Sequence, residues 1–324
     1  MDRLSATDLA ELSTICPDGI SHGIELSQIS QWRIGGPADL IIRPADTNQV
    51  ANLMRWFGAR DITPLVIGLT SNLLFADAGL RAPCVQIGPR MGNIRIDGQD
   101  VYAGSGVWVP GLARRLMRAG LGGAEHICGI PGTLGGLVCM NGGSQRKGIG
   151  DLVVTVDSVD RTGVTHQRSA VDCDFAYRRS IFQSNDEIIT SCRLHLSPRP
   201  KDAIRSEMRT ILGDRRRKFP RKEPNCGSVF KSNPTMYAEI GPPGEAIEKL
   251  GFKGRRIGGA LVSPHHANFI VNTGGASARD VLDLIKQVSD AVDAETGFRM
   301  EAEAIFVHTD GRLQPADRVL EQNS

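Results

Sequence analysis

The chain has 324 residues, 40% hydrophobic and 23% charged, a profile of a soluble globular protein with room for two or three packed lobes. Its formal net charge of +2 supplies no global field for nucleic acid or an anionic membrane, and aromatic residues at 5% are too sparse for a surface that stacks single strands.

Residues 1–29 lack sharp periodicity and read as a partly helical lead-in. A strand is expected at Leu40-Ile41-Ile42, after Gly35-Gly36-Pro37. Asp46 then caps a helix whose Val50, Leu53, Met54 and Phe57 share one stripe. Pro64-Leu65-Val66-Ile67 reads as a short buried strand entering Gly68, with further strands near 84–87, 153–159 and 188–196. Pro110 opens a helix carrying Leu112, Leu116 and Met117, and Gly120 closes it. Pro198-Arg199-Pro200 reads as a linker, after which Ile204, Met208, Ile211 and Leu212 mark a helix that begins a new unit. Strand-like Asn268–Asn272, a helix from Ser277 burying Val281, Leu284, Ile285, Val288 and Val292, and a strand within Ala302–Val307 give an α+β C-terminal lobe.

No stretch approaches the ~20 apolar residues that span a bilayer, and the first twenty residues hold no apolar run of signal-peptide length. Seven scattered cysteines without a Cys-x-x-Cys pair point to neither a zinc ribbon nor a redox dithiol. A reduced, cytoplasmic protein is expected. His265 and His266 are adjacent, so their imidazoles diverge in any regular structure and no metal is expected.

The Rossmann Gly-x-Gly-x-x-Gly, the Walker phosphate loop, His-Glu-x-x-His and Gly-x-Ser-x-Gly are all missing. Two glycine-rich segments remain, Gly68-Leu69-Thr70-Ser71-Asn72-Leu73-Leu74 and Gly129-Ile130-Pro131-Gly132-Thr133-Leu134-Gly135-Gly136. Each alone reads equally as a tight turn or as a nest of amides that cradles a diphosphate; two in one chain favour a bound dinucleotide.

These segments occur in order with Trp32-Arg33-Ile34-Gly35-Gly36-Pro37-Ala38-Asp39, Tyr177-Arg178-x-Ser180-x-Phe182 and Gly227-Ser228-Val229-Phe230-Lys231. Gly251-Phe252-Lys253-Gly254, Gly258-Gly259-Ala260 through Asn268-Phe269-Ile270-Val271-Asn272, and Glu301-Ala302-Glu303 follow. Over roughly residues 30–307 the chain resembles the UDP-N-acetylenolpyruvoylglucosamine reductases, in their shorter subtype. That resemblance implies an α+β fold with a two-lobed vanillyl-alcohol-oxidase (PCMH-type) FAD-binding region at 30–198, a substrate-binding domain at 199–312 and a tail at 313–324. It implies FAD and NADPH as cofactors, and reduction of UDP-N-acetylglucosamine enolpyruvate to UDP-N-acetylmuramate for peptidoglycan synthesis, in a chain that is monomeric by preference. The alternatives are a paralogous flavin oxidoreductase acting on another unsaturated acid or an alcohol, and a flavin- or UDP-sugar-binding protein without turnover.

By the same resemblance Gly68, Ser71, Asn72, Leu73, Gly129, Ile130, Pro131, Gly132, Gly135 and Gly136 bind the cofactor, and Tyr177, Lys231 and Asn233 bind substrate. Arg178 is implied to hold the substrate carboxylate, Glu303 to stabilise the enediolate and Ser228 to give the proton. From the residues alone, Arg178 and its neighbour Arg179 are equally suited to a salt bridge, and Cys226, two positions from Ser228 in an extended segment, is the intrinsically stronger acid (pKa ~8.5). The run Arg215-Arg216-Arg217-Lys218 with Arg221 and Lys222 places six cations in eight positions, and reads either as a solvated helix end or as a diphosphate dock.

Four departures from the family pattern stand out. The first turn carries Leu69-Thr70 where relatives have more glycine. Ser144-Gln145-Arg146-Lys147 sets charges beside a flavin loop, Ser232 lengthens the Phe-Lys-Asn-Pro pattern, and Ala302 and Ala304 replace Pro and Val around Glu303.

Overall fold

In the computed structural model, which describes residues 4–220, 222–232 and 234–320, the Asp46 carboxylate accepts the Gln49 amide at 2.8 Å and starts the helix Thr47–Gly58. Its stripe of Val50, Leu53, Met54 and Phe57 is buried, as the spacing requires. The described residues form an α+β fold in two compact units.

The first unit comprises Met1–His22, Leu40–Leu69 and Pro83–Arg215. Its parallel pairs join Ile41 to Cys84 and Leu65 to Cys84, so the strand Cys84–Gln86 lies between its two neighbours. A five-stranded antiparallel sheet follows, in the order Thr165–Ser169, Val153–Val159, Ile188–His195, Asp100–Gly104, Ile94–Asp97. Onto it pack the helices Val109–Ala119, closed by Gly120 at φ 76, and Leu134–Cys139.

The second unit comprises Gly23–Asp39, Thr70–Ala82 and Arg216–Ser324. The helix Ala278–Thr296 starts at a capping box of Ser277 and Asp280 and buries Val281, Leu284, Ile285, Val288 and Val292. Around it lie an antiparallel set of Arg256–Ile257, Ala260–Val262 and Ile270–Asn272, and a set in which Ile305–Val307 runs parallel to Leu73–Phe75 and antiparallel to Leu313–Pro315. Trp32, fully buried, donates its indole N–H to the Ile270 carbonyl at 2.8 Å and fixes the Trp-Arg-Ile-Gly-Gly segment in this core.

These units divide the chain differently from a cut at Pro198. The helix Lys201–Lys218 buries Ile204, Met208 and Ile211 in the same cluster as Leu112 and Leu116, so the first unit extends to Arg215. The lead-in also holds more order than its weak periodicity indicates: a helix Ala6–Ile15 capped by Ser5, a strand Ile20–Glu25 and a short helix Leu26–Ile29. Among the described residues, no helix is long and apolar enough to cross a membrane.

Candidate active site

In the first unit the two glycine-rich segments touch. Gly68 ends the strand Leu65–Ile67, and a Cβ built on it would collide with the Thr133 hydroxyl. Thr133 caps the helix Leu134–Cys139, whose entry is fixed by Leu134 and Gly135 donating to the carbonyls of Val107 and Ser105, both at 2.8 Å. Gly135 is needed there, because a Cβ would lie 2.9 Å from that of Ser105. The Ser105 hydroxyl, in a residue 1% exposed, has no hydrogen-bond partner among the described residues. A buried polar atom left unpaired beside closely packed glycine backbone is what a polar ligand threading these turns would satisfy, so the donor set fits the dinucleotide of FAD. Gly129 lies against Arg215, whose Cδ would be 2.5 Å from an added Cβ. Burial pushes the Arg215 pKa down from its usual value.

The helix Leu134–Cys139 also braces the Tyr-Arg turn. Ala176 and Arg179 exchange backbone hydrogen bonds at 3.1 Å, leaving Tyr177 and Arg178 at the tip, and Arg178 has φ 54. A bulky residue in the left-handed region is strained and survives only where its surroundings hold it. Ser180 supplies that hold by donating to the Cys139 carbonyl at 2.6 Å, Asn141 by donating to the Ala176 carbonyl at 2.8 Å, and Gln183 by donating to the Arg178 carbonyl at 3.1 Å. The two arginines differ in their surroundings: Arg179 is exposed and paired with Asp174 at 3.0 Å, whereas Arg178 is half-buried. Tyr177 is 64% exposed.

In the second unit the turn Thr70–Leu73 meets the segments of Ser228 and Glu303. Thr70 takes φ 56, the conformation a glycine would take there, and its hydroxyl accepts from the Gln31 amide at 3.2 Å and donates to the Ile29 carbonyl at 3.1 Å. The departure from glycine therefore keeps the shape of the turn, with side-chain hydrogen bonds offsetting the strain. Asn72 donates to the Glu303 carbonyl at 2.7 Å, and its own carbonyl accepts from Ile305 at 3.0 Å. Glu303 in turn donates its amide to the Val229 carbonyl at 2.7 Å. Buried Asn268 clamps the other side of that segment: its carbonyl accepts from Val229, its Oδ1 accepts from Phe230 and its Nδ2 donates to the Phe230 carbonyl, each at 2.9 Å.

Two local relationships differ from those of an ideal extended segment. Cys226 and Ser228 do not share the face of a strand, because Gly227 turns the chain at φ 89. Cys226 points into the core at 6% exposure, and burial together with the nearby Glu303 carboxylate raises its thiol pKa well above the usual value. Glu301 and Glu303 are likewise not neighbours on one strand face, since the regular strand begins only at Ile305. Exposed Glu301 pairs with Lys231 at 3.4 Å, while Glu303 is half-buried.

The structure thus groups Gly68, Gly132, Gly135 and Gly136 with Ser105, Thr133 and the Arg178 turn in one unit, and Ser71, Asn72, Leu73 and Glu303 with Ser228 in the other. Among the described residues of the basic run, Arg215 lies on the glycine loop, and Arg216, Arg217 and Lys218 are exposed. Asn233 and Arg221 lie outside the described residues. Ser105 and Asn268 were missed as supporting groups. Asn268 could have been noticed as an amide inside an apolar run, Ala267 to Val271, where only a fully bonded side chain is tolerated.

Comparison with known proteins matches the same parts of the chain. Residues 38–168 fit an FAD binding domain, and residues 219–307 fit the C-terminal domain of UDP-N-acetylenolpyruvoylglucosamine reductase. The chain is 41% identical over 299 residues to UDP-N-acetylenolpyruvoylglucosamine reductase 1 of Corynebacterium glutamicum, covering 92% of this chain and 89% of that protein. It is 40% identical to the reductase of Heliobacterium modesticaldum, covering 88% and 90%. The crystal structure of UDP-N-acetylenolpyruvylglucosamine reductase from Thermus caldophilus is similar with a TM-score of 0.75 at 30% identity, covering 87% of this chain and 97% of that one.

Proposed function

We propose that this chain, which belongs to the UDP-N-acetylenolpyruvoylglucosamine reductase family, reduces UDP-N-acetylglucosamine enolpyruvate to UDP-N-acetylmuramate with NADPH, as a cytoplasmic step in peptidoglycan precursor synthesis. FAD, when bound, supplies the hydride that passes from NADPH to the substrate. The glycine turns 68–73 and 129–136 would hold it, with Ser105 offering a further hydrogen-bond donor.

Three side chains then serve the substrate. Hydride adds to the terminal vinyl carbon, and the electron pair of the double bond moves toward the carboxylate. Arg178 neutralises that charge through its planar guanidinium, held ready by the strained turn. Glu303 is the second group that stabilises the same enediolate. Ser228 gives its hydroxyl proton to the carbon bearing the ether oxygen, which completes addition of one hydride and one proton across the bond. Cys226 packs: a buried thiol beside a carboxylate is held protonated and faces hydrocarbon, so it is no donor. Tyr177 and Lys231 bind substrate, and Asn233 belongs with them by the sequence pattern alone.

The observation that carries this reading is the double anchoring of Glu303, through its carbonyl by Asn72 and through its amide by Val229, next to Ser228. The test is NADPH oxidation by the flavin-loaded protein with and without UDP-N-acetylglucosamine enolpyruvate. Consumption that depends on this substrate supports the reductase. Consumption only with other acceptors assigns a different reaction, and no consumption assigns a binding protein.

A further inference from the structure

The helix Val109–Ala119 has a face that the reductase chemistry does not use. Val109, Leu112 and Leu116 bury its inner side, so Gly111, Arg114, Arg115 and Arg118 form the outer stripe, at intervals of three and four. Just before the helix, Trp108 is 47% exposed, whereas Trp32 and Trp56 are 0% and 8% exposed. Its ring lies over the first turn, close to Gly111: an added Cβ would come within 3.2 Å of the Trp108 ring. Arg114 sits 4.9 Å from the ring centroid. Together with Ile94 these residues line a cleft of about 580 Å3.

Charge in the cleft is one-sided. On other faces Arg161 pairs with Asp186 at 2.9 Å and Arg193 with Asp100 at 2.9 Å. Among the described residues no carboxylate pairs with Arg114, Arg115 or Arg118; Arg115 reaches only the Ile94 carbonyl, at 3.4 Å. An indole left open to water, flanked by three guanidinium groups, asks for a ligand with an aromatic ring and several anionic oxygens. The cleft also has the size of a small-molecule site, on the order of 300–1,000 Å3.

The geometry points to a nucleoside diphosphate site on this face, additional to the flavin site, with the base against Trp108 and the phosphates on Arg114, Arg115 and Arg118. A helix-end cluster serving only the helix dipole would need no exposed indole and no glycine at 111. The test is intrinsic fluorescence of the flavin-loaded protein titrated with ADP and, separately, UDP, with inorganic pyrophosphate as the control. Trp108 is the accessible indole, so a bound base quenches it. Saturable quenching by either nucleotide is expected, absent in Trp108→Leu and shifted about a hundredfold to higher concentration in Arg114→Ala/Arg118→Ala, the loss of roughly one charged hydrogen bond from each arginine. The nucleotide that saturates first identifies the base. A flat titration, quenching unchanged in the double variant, an equal response to pyrophosphate, or quenching that appears only as flavin is displaced would each overturn the site. NADPH oxidation with substrate, measured on the same samples, keeps the outcome separate from the reductase reading.

Discussion

The side-chain amide of Asn72 donates to the main-chain carbonyl of Glu303 at 2.7 Å, across a sequence separation of 231 residues. This bond makes part of the first glycine-rich turn a support for a carboxyl group proposed to act on substrate. Asn72→Ala removes it and leaves a carbonyl to be satisfied by water. The expected result is flavin-loaded protein that NADPH still reduces, with reoxidation by substrate slowed roughly tenfold, the effect of about 1.4 kcal/mol on a barrier. Stopped-flow absorbance at the flavin band checks it; an unchanged reoxidation rate would mean that Glu303 is positioned by other contacts.

Ser228 and Cys226 are two residues apart, yet Gly227 at φ 89 sends them in different directions. Ser228→Ala is expected to leave NADPH-driven bleaching near the wild-type rate and to slow the substrate step at least a hundredfold, within the range for loss of a general acid. Cys226→Ala should leave both half-reactions near wild type and lower stability by about 1 kcal/mol, as a small core truncation does. If the cysteine variant carries the slow substrate step instead, the proton donor has been misassigned.

Arg178 and Arg179 separate by substitution with lysine. Lysine keeps the charge but loses the planar fork, so Arg178→Lys is expected to lower kcat/KM by roughly two orders of magnitude. Arg179→Lys disturbs only an exposed pair with Asp174, worth about 0–1 kcal/mol, and should leave steady-state kinetics unchanged. Equal losses in both variants would place the turn, and not the guanidinium of Arg178, at the root of the effect.

Helices with strong periodicity and a cap were legible in the sequence: Asp46 and Ser277 start helices where expected, and Gly120 ends one. Three-residue strands such as Leu73–Phe75 and Ala260–Val262 were not, because pairing with partners distant in sequence defines them and no local pattern does. The candidate site shows in the sequence only as types of residue in order. What the order could not give is the support: Asn268 on both sides of Phe230, Asn72 on Glu303, Ser180 on Cys139. Each is a bond from an ordinary polar residue to main chain, with no spacing rule to reveal it.

Thr70 shows how a departure from a motif is accommodated. Its φ of 56 disfavours a β-branched side chain, and its hydroxyl makes two hydrogen bonds to the Ile29–Gln31 segment. Thr70→Val keeps the strain and loses both bonds, so a destabilisation of about 2–3 kcal/mol is expected. Thr70→Gly loses the same bonds but relieves the backbone, and its melting temperature should lie between those of wild type and Thr70→Val. A valine variant as stable as wild type would show that the hydroxyl does not hold the turn.

His126 precedes the second glycine-rich loop and is 3% exposed. Its Nδ1 faces the Gly123 carbonyl at 3.1 Å, and its Nε2 has no hydrogen-bond partner among the described residues. Burial holds its pKa below the usual 6.5, with Lys147 acting the same way and Asp151 and Glu125 opposing. A depressed histidine pKa means that the unfolded chain takes up the proton first. The stabilising contribution is therefore complete above the unfolded value of about 6.5 and is lost as pH falls through that value toward the folded one, each unit of depression being worth about 1.4 kcal/mol. The Ser144 hydroxyl donates to the His126 carbonyl at 2.5 Å and ties the charged loop 144–147 to this residue. Melting temperature and flavin retention of the wild type are expected to drop together as pH falls below about 6.5. His126→Phe fills the space without titrating, and its curve should be flatter across the same window. Parallel curves for the two proteins would show that the acid sensitivity arises elsewhere.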